Sequence, residues 1–126
     1  FATARAGNVI GGGDWAKDRI IPDCVRALSK GQSIIVRNPN AMRPWQHVLD
    51  PLSGYLLLAK RLFEDPEHYS GPWNFGPTEN GHIKVIELAE KFIKAWGGGQ
   101  IETTPSDNGA THEAHLLSLC IDIAVH

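Results

Sequence analysis

The stretch GNVIGGGDWA, residues 7–16, decides how the rest of the chain is read. Gly11, Gly13 and Ala16 fit G-x-G-x-x-A, the pattern in which a strand, a glycine turn and a helix seat a dinucleotide pyrophosphate. That seat works only if the turn opens straight into a helix, whose free N–H groups then point at the anion. Here Asp14 and Trp15 put a negative charge and the largest side chain where bare backbone is needed. Pro22 is tolerated only in the first turn of a helix, which places the helix start near Asp18 or later. The acidic residue expected about 20 positions on is missing as well, because that position falls within IIVRN. The glycines therefore read as a sharp loop after a strand. No Lys-Ser or Lys-Thr follows them, so a Walker-type phosphate loop is excluded.

Outward from this loop the pattern is that of an α/β chain. Residues 3–10 alternate loosely and predict a buried strand. Ile21, Cys24, Val25 and Leu28 recur at helical spacing between 18 and 30, with Gly31 as the stop. Residues 33–36 predict a short strand, and RNPNAMRP, residues 37–44, predicts an irregular loop. From 50 to 64, Leu52, Tyr55, Leu56, Ala59, Leu62 and Phe63 predict the packed face of a second helix, with Pro51 at its first position and Pro66 beyond its end. GPWNFGP, residues 71–77, is a small proline-fenced strand, and Val85, Leu88, Ala89, Phe92, Ile93 and Trp96 lay out a third helix stopped by Gly97. Residues 100–104 and 116–121 each predict a strand. The expected order is β-α-β-α-β-α-β-β, without repeats or low-complexity tracts.

The bulk numbers bound the function class. A length of 126 residues suits one domain with a single core, and 42% hydrophobic with 21% charged residues is the balance of a folded globular chain. Twelve Lys plus Arg against fourteen Asp plus Glu give a net charge of -2, with no basic run to track a phosphate backbone, so nucleic acid is not the expected partner. The longest apolar run, YLLLA at 55–59, is far too short for a bilayer, and no signal peptide is visible. The expectation is a cytoplasmic protein with no membrane partner. Cys24 and Cys120 stand far apart with no second pair, as reduced packing residues. The chain opens without Met on FATARAGNVI and closes on CIDIAVH, and so is expected to be a piece of a longer protein.

A few polar residues stand out in the loops and strand ends. Asn8, expected at the end of the first strand, can hydrogen-bond a phosphate oxygen or cap a turn. Arg37 and Arg43 bracket the Asn- and Pro-rich loop, and Arg43 beside Trp45 reads either as a bidentate phosphate clamp or as half of a surface salt bridge. Asn74, between Trp73 and Phe75, must find a partner in a ligand or in nearby backbone. HEAH, His112 to His115, has His at i and i+3, whereas the zinc helix needs H-E-x-x-H, so no metal site is expected. No nucleophile elbow and no Tyr-x-x-x-Lys is present, and no catalytic residue is assigned.

Together RAGNVIGGGDW (5–15), DRIIPDCVRALSKGQ (18–32), VRNPNAMRPWQHVLDPLSGYLLLA (36–59), WNFGP (73–77) and HEAH (112–115) closely resemble the CDP-glucose 4,6-dehydratases of the extended short-chain dehydrogenase/reductase family. The resemblance implies the C-terminal part of a Rossmann-like fold: the last sheet strands plus a small mixed α/β substrate-binding lobe. Residues 1–126 would form a single nucleotide-sugar-binding lobe, with the NAD loop and the catalytic Tyr-x-x-x-Lys pair in an N-terminal part preceding Phe1. It implies a lyase that uses NAD to oxidise C4 of the glucosyl group, eliminates water across C5 and C6, and returns hydride to C6. Asn8, Arg43 and Asn74 match residues at the substrate diphosphate, and Arg19 and Arg37 belong to segments, 19–22 and 34–37, that match walls around the nucleotide. Ala6 and Gly7 match the strand end that passes near the nicotinamide. A small-molecule nucleotide sugar as partner, a homo-oligomeric whole enzyme and a place in deoxysugar biosynthesis for lipopolysaccharide O-antigen are also implied. Two alternatives stay open: an epimerase or reductase of the same superfamily, and a non-catalytic nucleotide-sugar-binding module. The end of the chain departs from the pattern, since LLSLCIDIAVH has Ile123 where related enzymes read Asp-x-Ser-Lys-Ala.

Overall fold

Gly7 divides the strand predicted over residues 3–10. In the computed structural model, which describes residues 1–77 and 81–104, β1 (Ala2–Ala6) and β2 (Asn8–Ile10) are separate strands with different partners. β1 runs parallel to β5 (Gly71–Phe75), with Ala2 opposite Gly71 and Ala6 opposite Phe75. β2 runs parallel to β4 (Met42–His47), with Asn8 opposite Trp45 and Ile10 opposite His47. The break has a steric cause. A Cβ on Gly7 would stand 2.9 Å from the Pro44 ring and 3.3 Å from its carbonyl oxygen, so a residue without a side chain lets the strand cross.

The remaining elements are α1 (Ile20–Ser29), β3 (Ile34–Val36), α2 (Leu49–Glu64), α3 (Pro66–Tyr69), β6 (His82–Lys84), α4 (Val85–Trp96) and β7 (Ile101–Thr103). Where length suggests a single core, the chain divides into two compact units. One holds Phe1–Gly11 and Pro44–His82, the other Gly12–Arg43 and the described residues from Ile83 onward.

In the first unit α2 covers the β1–β5 pair, the helix-linked crossover that parallel strands require. Its packed face is Pro51, Gly54, Tyr55, Leu58 and Leu62, a helical stripe one step away from the predicted one. Leu52, Leu56 and Phe63, assigned to that face from periodicity, are exposed, Phe63 to 91%. α2 is apolar on two sides, so hydrophobicity alone does not say which side meets the sheet. Tyr55 meets Phe75 edge-on at 5.2 Å, and Trp73 donates its indole N–H to the Tyr69 carbonyl at 3.0 Å. The four-residue α3 is too short to carry a periodic signal, and is capped by Asp65, which accepts from the His68 N–H at 3.1 Å.

In the second unit the parallel pair β3–β7 lies under α1 and α4. Cys24, Ile34, Val36 and Ala89 are its buried centre, with Leu28, Phe92 and Ile101 around them. α4 ends as predicted at Gly97, whose φ of 99° is left-handed backbone that favours glycine. The loop predicted over 37–44 is shorter than expected, because β4 already begins at Met42 and contains Pro44. Pro44 precedes the residues registered against β2, so its missing N–H costs that pairing nothing. The strand predicted over 116–121 lies outside the described residues.

Candidate functional site

In the first unit β1 and β5 run parallel and end together, Ala6 opposite Phe75. The carboxyl end of such a pair is where open α/β sheets take ligands. Asn74 lies one residue before that end, registered against Arg5, and Gly7 and Asn8 follow it directly. Ala6, Gly7, Asn8 and Asn74 are thus brought to one end of one strand pair, and Asn8 and Asn74 are half-buried. Asn8 is not the last residue of a strand, as expected, but the first of β2, because of the break at Gly7.

The same corner is held by a side chain that sequence reading missed. Gln46, 7% exposed, donates its Nε2 to the Phe75 carbonyl at 3.0 Å, and that oxygen also accepts from the Gly7 N–H at 3.3 Å. One carbonyl therefore ties β4, β5 and the β1–β2 break together. The available signal was a lone amide between Trp45 and His47 in RPWQHV. Next to Gln46, the indole Nε1 of Trp45 is buried and has no hydrogen-bond partner among the described residues.

The second unit carries Arg19, Arg37 and Arg43. Arg43 stands on β4 rather than on a loop and is 7% exposed, so the surface salt bridge considered for it does not apply. It donates Nη1 to the Met42 carbonyl at 2.9 Å, among other interactions. A cation held that far from water needs compensating partners. Arg19 and Arg37 differ sharply from it. Their side chains are 64% and 73% exposed, and they pair with Asp14 and Asp18, each at 3.0 Å.

These pairs belong to the loop after the glycines. Arg26 donates to the Trp15 and Ala16 carbonyls, both at 3.0 Å, and also to Asp23. The Ala16 N–H, and after it Arg19, holds the Asp14 carboxyl below the usual carboxylate range. Three arginines thus tie down a loop that leaves Trp15 72% exposed. α1 starts only at Ile20, so the glycine turn does not open into a helix, as the residues at 14, 15 and 22 required. Gly11 instead backs onto Val48, whose Cγ1 would lie 2.7 Å from an added Cβ.

Among the described residues no group of three or more His, Cys, Asp or Glu is placed to hold a metal. No helix among them is long and apolar enough to cross a membrane. Cys24 is fully buried and, by burial first and the Asp23 charge second, its thiol is pushed up to about 11, which suits packing rather than nucleophilic attack. His112, His115 and Cys120 lie outside the described residues.

No protein-family model matches the chain. It is similar to the CDP-glucose 4,6-dehydratase of Salmonella typhimurium, 48% identical over 119 residues, which is 94% of this chain and 33% of that protein. Among solved structures, it superposes on dTDP-glucose 4,6-dehydratase from Bacillus anthracis in complex with NAD with a TM-score of 0.72 at 15% identity, over 98% of this chain and 36% of that one. UDP-glucuronic acid 4-epimerase from Bacillus cereus, in complex with UDP-glucuronic acid and NAD, gives 0.74 at 15% identity, over 96% and 36%. UDP-glucose 4-epimerase from Thermus thermophilus with NAD gives 0.72 at 20%, over 98% and 39%. At those identities the structures show the fold alone, and it is that of the extended short-chain dehydrogenase/reductases. The resemblance to CDP-glucose 4,6-dehydratases holds across nearly the whole chain, which spans about a third of that relative's length.

Proposed function

We propose that this chain is the nucleotide-sugar-binding part of a CDP-glucose 4,6-dehydratase, a lyase that converts CDP-glucose to CDP-4-dehydro-6-deoxyglucose and water. The observation that carries this reading is 48% identity across 94% of the chain. In this reading residues 1–126 are the C-terminal lobe of a longer, cytoplasmic, homo-oligomeric enzyme. The amides of Asn8 and Asn74 donate to oxygens of the substrate diphosphate, and Arg43 balances its charge. Arg19 and Arg37 stand in the wall of the nucleotide site, and their ion pairs with Asp14 and Asp18 order that wall rather than bind ligand.

The reaction is redox-neutral overall and depends on NAD. The described residues do not fit the pyrophosphate of that cofactor, since none of their glycine turns opens directly into a helix. The bareness of Gly7 is accounted for by Pro44. Ala6 and Gly7 then only pass beside the nicotinamide, and NAD is held by other parts of the whole enzyme.

The test is turnover by the full-length protein. CDP-glucose should yield the 4-keto-6-deoxy product with loss of water, and UDP- and dTDP-glucose should be turned over far less well. A C4 epimer in place of the keto sugar would identify an epimerase. Tight binding of CDP-glucose without any turnover would identify a binding module.

A further inference from the structure

We infer that the indole N–H of Trp45 is a hydrogen-bond donor to the diphosphate of the bound nucleotide sugar, acting beside Asn8. The inference rests on the function proposed above and adds a residue to its site. The Trp45 Nε1 is buried and has no hydrogen-bond partner among the described residues. An indole nitrogen can only donate, and buried polar groups in folded proteins nearly always find a partner. The other tryptophan of the same unit obeys that rule, with Trp73 donating to the Tyr69 carbonyl at 3.0 Å.

The position of the orphaned donor points to its partner. Trp45 is registered opposite Asn8 in the parallel β2–β4 pair, and side chains at registered positions project from the same face of the pleat. Gln46, the next residue, projects from the opposite face and anchors β4 to the Phe75 carbonyl. The indole is therefore set by a strand that is fixed in place, next to an amide that can also donate. Two neighbouring donors call for a ligand group rich in acceptors and without hydrogens of its own, and the ionised diphosphate is that group. A sugar hydroxyl or a base edge would bring donors as well.

The experiment uses the full-length protein. Trp45→Phe keeps the ring and removes the N–H, and should raise KM for CDP-glucose about tenfold while kcat stays within about twofold. The same variant assigns the Trp45 indole signal in a ¹H–¹⁵N spectrum by its disappearance, and Trp45→Tyr serves if the phenylalanine variant does not fold. In the unsubstituted protein that signal should move downfield with CDP and with inorganic pyrophosphate, but not with cytidine. CDP binding seen by calorimetry while the signal stays still, or a signal that follows cytidine and ignores pyrophosphate, overturns the inference and leaves the dehydratase reading standing. Failure of the protein to bind CDP at all overturns both.

Discussion

Arg43 combines two properties that rarely meet: a permanent charge and 7% exposure. If it answers the diphosphate, removing it should take away a charge-assisted bond of about 1.5–3 kcal/mol, or about 10- to 150-fold in affinity. Arg43→Ala in the whole enzyme should raise KM for CDP-glucose by that factor, and Arg43→Lys should recover only part of it because the planar fork is lost. An unchanged KM in the alanine variant removes Arg43 from the site. Cys24 makes a different prediction. Its thiol titrates near 9 when free and near 11 in the fold, so above pH 9 the unfolded chain loses a proton that the folded chain keeps. Stability should therefore fall between about pH 9 and 11, by up to about 2–3 kcal/mol. Urea unfolding of Cys24→Ala against the parent should show that slope reduced. The sequence singled out these candidates on different grounds: Arg43 beside proline and an aromatic, Asn8 at an expected strand end, and Asn74 as a polar residue between Trp73 and Phe75. The strand under Arg43 was not readable, because Pro44 reads as a breaker until the register against β2 shows that it precedes the paired residues. Trp45 was beyond reach, since an orphaned donor is visible only once every neighbour has been placed.

At the scale of elements, α2 shows most directly what a sequence leaves open. Its existence and ends were readable to within a residue from Pro51, Pro66 and the apolar spacing, but its packed face was not. Leucines line both sides, and the choice is made by Gly54, which brings the helix close enough for Phe75 to lie against its backbone. A Cβ at 54 would stand 2.5 Å from Phe75 Cδ1, on a ring already held edge-on by Tyr55. Glycine to alanine inside a helix ordinarily stabilises by up to about 1 kcal/mol. Here the sign should reverse, with Gly54→Ala costing about 1–3 kcal/mol in thermal or urea unfolding. The two sides of the same helix can be compared directly. Leu58→Ala should cost about 2–5 kcal/mol, whereas Leu56→Gln on the exposed side should stay within about 0.5 kcal/mol. Equal losses would mean that the packed face is misassigned.

For the whole molecule, each pairing whose register is established, β1–β5, β2–β4 and β3–β7, is parallel and joins strands well separated in the chain. The α/β class was readable because helices and strands alternate, but sheet membership was not, since Gly7 sends one apparent strand into two sheets. The β1–β5 pair also bears on synthesis. Ala2 faces Gly71, so a ribosome adding residues at 5–20 per second leaves β1 without its partner for on the order of 3 to 15 seconds. A strand that waits so long is a hazard if it is apolar and β-prone. β1 reads ATARA, small residues with one positive charge, and its middle three are exposed. Replacing Thr3 and Arg5 by valine should therefore lower the soluble yield of newly made protein while leaving the Tm of the folded fraction almost unchanged. Unaltered yield would show that the composition of β1 answers to its folded surroundings alone. A lowered yield would mark the modest chemistry of this strand as an adaptation to the interval before its partner exists.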